Sequence, residues 1–106
     1  RALREACEQV FLHADLARYI VDLARASRED SGIKLGISPR GAMHLATASK
    51  AFALVKGRRQ VSPDDIQALI GPVWDHRILP RHGRDSDSSH AHELLQSIVA
   101  RVPVPR

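Results

Sequence analysis

The sequence predicts an all-α fold, a small bundle of four main helices. Apolar residues recur at spacings of three and four along most of the chain. Two Ser-Pro pairs, Ser38-Pro39 and Ser62-Pro63, open helical stretches, and no convincing run alternates with the two-residue period of a strand. At 106 residues the chain suits one domain with a single core and leaves no room for a second large one. A composition that is 43% hydrophobic and 26% charged is globular, which excludes disorder throughout.

The elements follow in order. Arg1 to Gln9 reads as a helix that begins abruptly, as in a fragment of something longer. Over Ala14 to Ser27, Leu16, Tyr19, Ile20, Leu23 and Ala24 form one apolar stripe, with Arg18, Asp22 and Arg25 outside it. Arg28 to Leu35 reads as a connecting loop. Ser38 then caps a helix running from Pro39 to Lys56, with Gly57 stopping it at the C′ position. Leu45, Ser49, Phe52 and Val55 are expected on one side of it, and its many alanines keep its girth small enough for neighbouring helices to approach closely. Ser62 caps the next helix, where Asp64 and Asp65 complement the positive helix end and Ile66, Leu69 and Ile70 form the buried face. Gly71-Pro72 is expected to break it, with Val73, Trp74, Arg77 and Ile78 adding a turn or two against the core. Pro80 to Ser89 is polar and reads as a mobile surface loop, and His90 to Val102 forms a last amphipathic helix through Leu94, Leu95, Ile98 and Val99.

Arg40 is the candidate functional residue. It falls in the first turn of a helix, where the macrodipole is positive and acidic side chains are favoured, so a cation there runs against the local electrostatics. A polyanionic partner resolves that misfit, because a guanidinium beside free backbone N–H groups makes a good phosphate site. A solvated arginine is the bland alternative.

The run Gly36 to Lys56, then Gly57 to Ile66 and Pro72-Val73-Trp74-Asp75-His76-Arg77-Ile78, strongly resembles the C-terminal lid of MoxR-type AAA+ ATPases. Tyr19 to Leu23 and the terminal Val102-Pro103-Val104-Pro105 extend the likeness over nearly the whole chain in the right order. The resemblance implies an AAA+ lid-type bundle over residues 1–106, a fragment of a longer ATPase whose nucleotide-binding core lies upstream. Magnesium-chelatase-like lids carry a similar Ser/Pro-Arg element. Against the family, Arg40 matches the sensor-2 arginine, which reaches from the lid to the nucleotide phosphates, making it the implied catalytic residue. Ser38, Pro39 and Arg40 together form the implied cofactor-binding element. The parent would use ATP and Mg2+, with neither bound by this fragment alone. Its partners would be the upstream core, neighbouring subunits of a ring, a hexamer by expectation, and a client protein matured in chaperone-like fashion. Arg40 would serve the nucleotide of its own or of a neighbouring subunit. The family usually carries a small residue such as alanine after this arginine; Gly41 departs from that pattern and is expected to loosen the helix start slightly.

The chain lacks a Gly-x-x-x-x-Gly-Lys-Ser/Thr loop and an apolar strand ending in acidic residues, so alone it should not hydrolyse ATP. Six histidines, His13, His44, His76, His82, His90 and His92, raise a metal site, but their spacing argues against a preorganised one, and no metal ligands are assigned. His44 lies one turn after Arg40 and could line the same cleft, while His76-Arg77 matches a His-Arg pair common in the family. A net charge of +4 with Lys50, Lys56, Arg58 and Arg59 near one helix end keeps a basic nucleic-acid-binding module as an alternative. It is disfavoured by the lack of interleaved aromatics for base stacking. A helical protein-interaction scaffold is the other alternative; it would not depend on Arg40. The single cysteine, Cys7, permits no intrachain disulfide and fits a cytoplasmic protein, and no apolar run approaches the roughly 20 residues of a membrane span.

Overall fold

A computed structural model describes residues 2–81 and 88–105. Among these, the order is α1 (Ala2–Glu8), α2 (Ala14–Glu29), β1 (Ile33–Leu35), α3 (Pro39–Val55), α4 (Pro63–Trp74), β2 (Leu79–Pro80) and α5 (Ser88–Arg101). The helix starts are where the serines put them. Ser38 accepts from the Gly41 N–H and Ser62 from the Asp65 N–H, each with proline at the first helical position.

α3 packs most extensively on α4, with α2 on another flank and α5 against α2 and α4. Tyr19, Ile20 and Leu23 of α2, Leu45 and Ala53 of α3, Ile66, Ile70 and Trp74 of α4, and Leu95 and Ile98 of α5 are all buried in one cluster. Polar cross-links tie α5 to the rest: His92 Nδ1 lies 3.1 Å from Asp75 Oδ2, and Arg101 Nη2 donates to Asp30 Oδ2 at 2.8 Å.

The all-α, four-helix expectation needs correction. Among the described residues there are five helices, the expected N-terminal one counted with the four main ones, and a small antiparallel sheet that the all-α reading lacks. β1 lies in the segment expected to be a loop and pairs with β2 through Ile33 opposite Pro80 and Leu35 opposite Leu79. Arg81 continues the link by donating its N–H to the Gly32 carbonyl. Strands of three and two residues are too short to show a period of two, so only tertiary pairing defines them.

Pro72 does not break its helix; α4 runs through it to Trp74. In this position a proline deprives the residue 68 carbonyl of its helical N–H, and Ala68 is exposed, on the solvent side of the helix where such a loss costs least. Burial of Trp74 holds the turn beyond. Val55 is also misplaced by the sequence pattern: it is 85% exposed, and α3 buries Gly41, Ala42 and Ala53 beside the expected Leu45 and Ser49. Close packing selects the small residues of this helix. In the loop expected over 80–89, Pro80 belongs to β2 and α5 begins at Ser88; residues 82–87, His82 included, lie outside the described residues.

Ser49 makes a test of this packing. Its hydroxyl is buried with no hydrogen-bond partner among the described residues. Ser49→Ala removes an unsatisfied polar atom, nearly conserves volume and favours helix, so it should stabilise the fold by about 1 kcal/mol. A higher denaturation midpoint in urea checks this; an unchanged or lower one contradicts it.

Candidate functional site

Arg40 is the second residue of α3, one step after Pro39, and is exposed. Neither its guanidinium nor its backbone N–H has a partner among the described residues, and the first turn of α3 contains no acidic residue. The turn's other donors are committed. Pro39 has no N–H, the Gly41 N–H goes to Ser38 Oγ at 3.1 Å, and the Ala42 N–H goes to the Ser38 carbonyl at 3.0 Å. Ser38 and Pro39 therefore shape this helix end, while Arg40 alone offers it free donors. The backbone amides give an anion one free N–H rather than the several that such an end commonly offers.

The frame around Arg40 is held from two sides. On the α2 side, the Ile37 N–H donates to Ser27 Oγ at 2.8 Å, Ser27 in turn donates to the Ala24 carbonyl at 2.6 Å, and Arg28 Nη1 donates to the Ile37 carbonyl at 2.5 Å. On the α4 side, the buried Trp74 indole Nε1–H donates to the Gly41 carbonyl at 3.0 Å. Gly41 itself is a close-approach position, since a Cβ there would lie 2.9 Å from Ile37 Cγ2. The expected loosening of the helix start is thus offset: glycine lets the turn press onto Ile37, and its carbonyl is tied to α4.

The remaining sequence candidates scatter. His44 is exposed on α3 one turn beyond Arg40. His76 and Arg77 are exposed just past α4; Arg77 Nε donates to the Val73 carbonyl at 3.2 Å, and its Cδ lies 3.9 Å from where a Gly41 Cβ would be. His13 caps α2, its Nδ1 accepting the Asp15 N–H at 3.0 Å. Among the described residues no group of three or more His, Cys, Asp or Glu could hold a metal ion, and no helix is long and apolar enough to cross a membrane.

Two members of the basic cluster at the end of α3, Lys56 and Arg58, have structural occupations. Gly57, at φ 79°, closes a Schellman motif in which the Arg58 N–H bonds the Ala53 carbonyl and the Gly57 N–H the Leu54 carbonyl. Lys56 Nζ lies 4.3 Å from the Phe52 ring centroid. The motif delivers Arg58 to Asp65, whose carboxylate is gripped at both oxygens, Arg58 Nη1 to Oδ2 at 2.7 Å and Nη2 to Oδ1 at 2.5 Å. Asp65 also accepts the Ser62 N–H at 2.8 Å, completing a capping box. Burial pushes the Asp65 carboxyl up, but the Arg58 guanidinium and the Ser62 backbone outweigh it and hold the group below the ordinary carboxylate value. Ser-x-x-Asp from Ser62 to Asp65 is the one local signal for this network; the Arg58 partnership and the Trp74–Gly41 bond join residues with no mutual sequence pattern.

A mainly helical domain with a short two-stranded antiparallel sheet and an arginine in the first turn of its central helix matches a known class. The chain belongs to the AAA lid domain family, whose model matches residues 25–98. It is homologous to MoxR proteins. It is 34% identical over 104 residues to Protein MoxR of Paracoccus denitrificans, covering 85% of this chain and 31% of that protein. It is 31% identical over 103 residues to the uncharacterized protein YeaC of Bacillus subtilis, covering 97% and 32% respectively. Chaperone MoxR1 of Mycobacterium tuberculosis is 26% identical over 113 residues, covering 98% and 30%. The crystal structure of a "putative ATPase" from Cytophaga hutchinsonii shares the fold, with a TM-score of 0.82 at 24% identity over 96% of this chain and 34% of that one. The chain spans about a third of the length of these curated relatives.

Proposed function

We propose that this domain is the lid of an ATPase whose nucleotide-binding core lies elsewhere in a longer protein, and that Arg40 is its phosphate-sensing arginine. The observation that carries the reading is an exposed arginine with free side-chain and backbone donors, in a helix turn without acidic residues and with its neighbours pinned. That arrangement fits a polyphosphate: the helix end and the guanidinium both favour negative charge, and no local carboxylate competes. The chain's own contribution is to phosphate, so Mg2+ would be held by the core. Bound ATP supplies the transferable phosphoryl group. Arg40 would stabilise charge developing on its terminal phosphate, and loss of that phosphate would release the lid, linking hydrolysis to domain motion.

Met43, 70% exposed one turn beyond Arg40, gives the same helix face an apolar contact for the core when the lid closes. The lid would also contact neighbouring subunits of a ring, six in the arrangement the resemblance implies, within the cytoplasm. The chaperone name of the Mycobacterium relative supports an output in activating or assembling partner proteins. Steady-state ATP turnover of the native-length protein and its Arg40→Ala variant, with circular dichroism as the folding control, tests the reading. Unchanged turnover would leave the domain as an interaction scaffold.

A further inference from the structure

We infer that Trp74 is a positioning residue for Arg40, its indole N–H holding the first turn of α3 in the pose that presents the guanidinium. The inference rests on reading Arg40 as the phosphate-facing residue. Trp74 is 1% exposed and cannot itself reach a nucleotide; it acts through the Gly41 carbonyl, one residue after Arg40. As part of a helix, that carbonyl already faces the N–H four residues on, so it needs no second donor for its own sake. The indole N–H does need an acceptor once buried, and among all the carbonyls of the core it takes the one beside Arg40.

Position along the chain gives the bond leverage. The segment entering α3 is anchored to α2 through Ile37, with Ser27 and Arg28 as its partners. Without a tie on the opposite side, the first turn could pivot about that anchor. The Trp74 bond closes the clamp from α4, and Arg77, three residues further on, lays its stem along the same turn. The exit of α4 therefore forms a platform under the start of α3. A long, exposed arginine has many rotamers, so an angular error at its Cα is magnified at the guanidinium, and misplacements of about 1 Å are known to lower rates up to about a hundredfold.

The test is a double-mutant cycle in ATP turnover by the native-length protein, with Trp74→Phe, Arg40→Ala and the pair. Trp74→Phe keeps a buried aromatic ring and removes only the donor and part of the bicycle. Its kcat should fall about 3- to 10-fold with KM for ATP little changed, and in the Arg40→Ala background it should cost nothing further. A folded Trp74→Phe with full turnover overturns the inference, as does a loss that multiplies independently with that of Arg40→Ala, because then the tryptophan acts on the fold at large. If Arg40→Ala alone keeps full turnover, the phosphate reading itself fails, and that result is visible in the single variant. Should Trp74→Phe fail to fold, Trp74→benzothienylalanine replaces it under the same criteria, since sulfur there substitutes for the N–H at nearly constant shape.

Discussion

Arg40→Ala in the native-length protein is expected to lower ATP turnover by about tenfold or more, at least about 1.4 kcal/mol in the barrier, with helical content unchanged. The two halves of that expectation have separate causes. Arg40 is exposed and makes no hydrogen bond or ion pair among the described residues, so its removal breaks nothing in the fold. It also relieves a cation at the positive end of α3, which should leave stability equal or slightly raised. A turnover loss accompanied by neutral or improved stability is the signature of a residue retained for a ligand.

Arg40→Lys sharpens the result. Lysine keeps the charge but presents a point donor instead of a planar fork, so a partial loss, mainly in kcat, is expected if the guanidinium engages phosphate oxygens in the transition state. A variant that instead raises KM with kcat intact would mean that Arg40 binds substrate and transition state equally well. Its role would then be affinity for nucleotide and not acceleration of the chemistry.

Which parts of this arrangement could be read from the residues follows from the range of the interactions involved. Ser38, Pro39 and Gly57, and likewise Ser62 and Pro63, act on backbone groups within a few positions of themselves, so both helix starts and the end of α3 were legible. The exposed placement of Arg40 followed from the same local logic. Val55 was not legible, because the choice between the large and the small face of α3 is made by how closely α4 and α2 approach. Nor were β1 and β2, whose pairing joins residues nearly fifty positions apart. The site's support is of this second kind. Ser27 to Ile37, Trp74 to Gly41 and Arg58 to Asp65 each depend on where helices have already packed. The placement of Arg40 was thus local and readable, while the rigidity of the frame around it is a tertiary property.

Asp65→Ala is expected to be the most destabilising substitution among those considered, by about 3 kcal/mol. Asp65 is 1% exposed and serves two structures at once, the capping box of α4 and the bidentate pair that fastens the turn between α3 and α4. Asp65→Asn should recover part of the loss, since its oxygen can still accept the Ser62 N–H while the charge on the pair is gone. Arg58→Ala should be worse than its own half-buried position would indicate, because it strands a buried carboxylate, and replacing both residues should cost less than the two single losses added together. The pH dependence has a definite sign. The folded carboxyl is held below its ordinary value of 3.8, so the unfolded state binds more protons in the window between the two values. The pair's contribution is therefore fully present above that ordinary value and is lost as pH falls through the lowered one. Urea midpoints measured from neutral pH down into that window should converge between the parent and Asp65→Ala as acid removes what the mutation has already removed. A gap that stays constant with pH would mean that Asp65 stabilises through packing and not through its charge. Because this clamp lies at the far end of α3 from Arg40, the moderate variant Asp65→Asn should weaken the fold while leaving per-molecule turnover of the folded fraction near that of the parent.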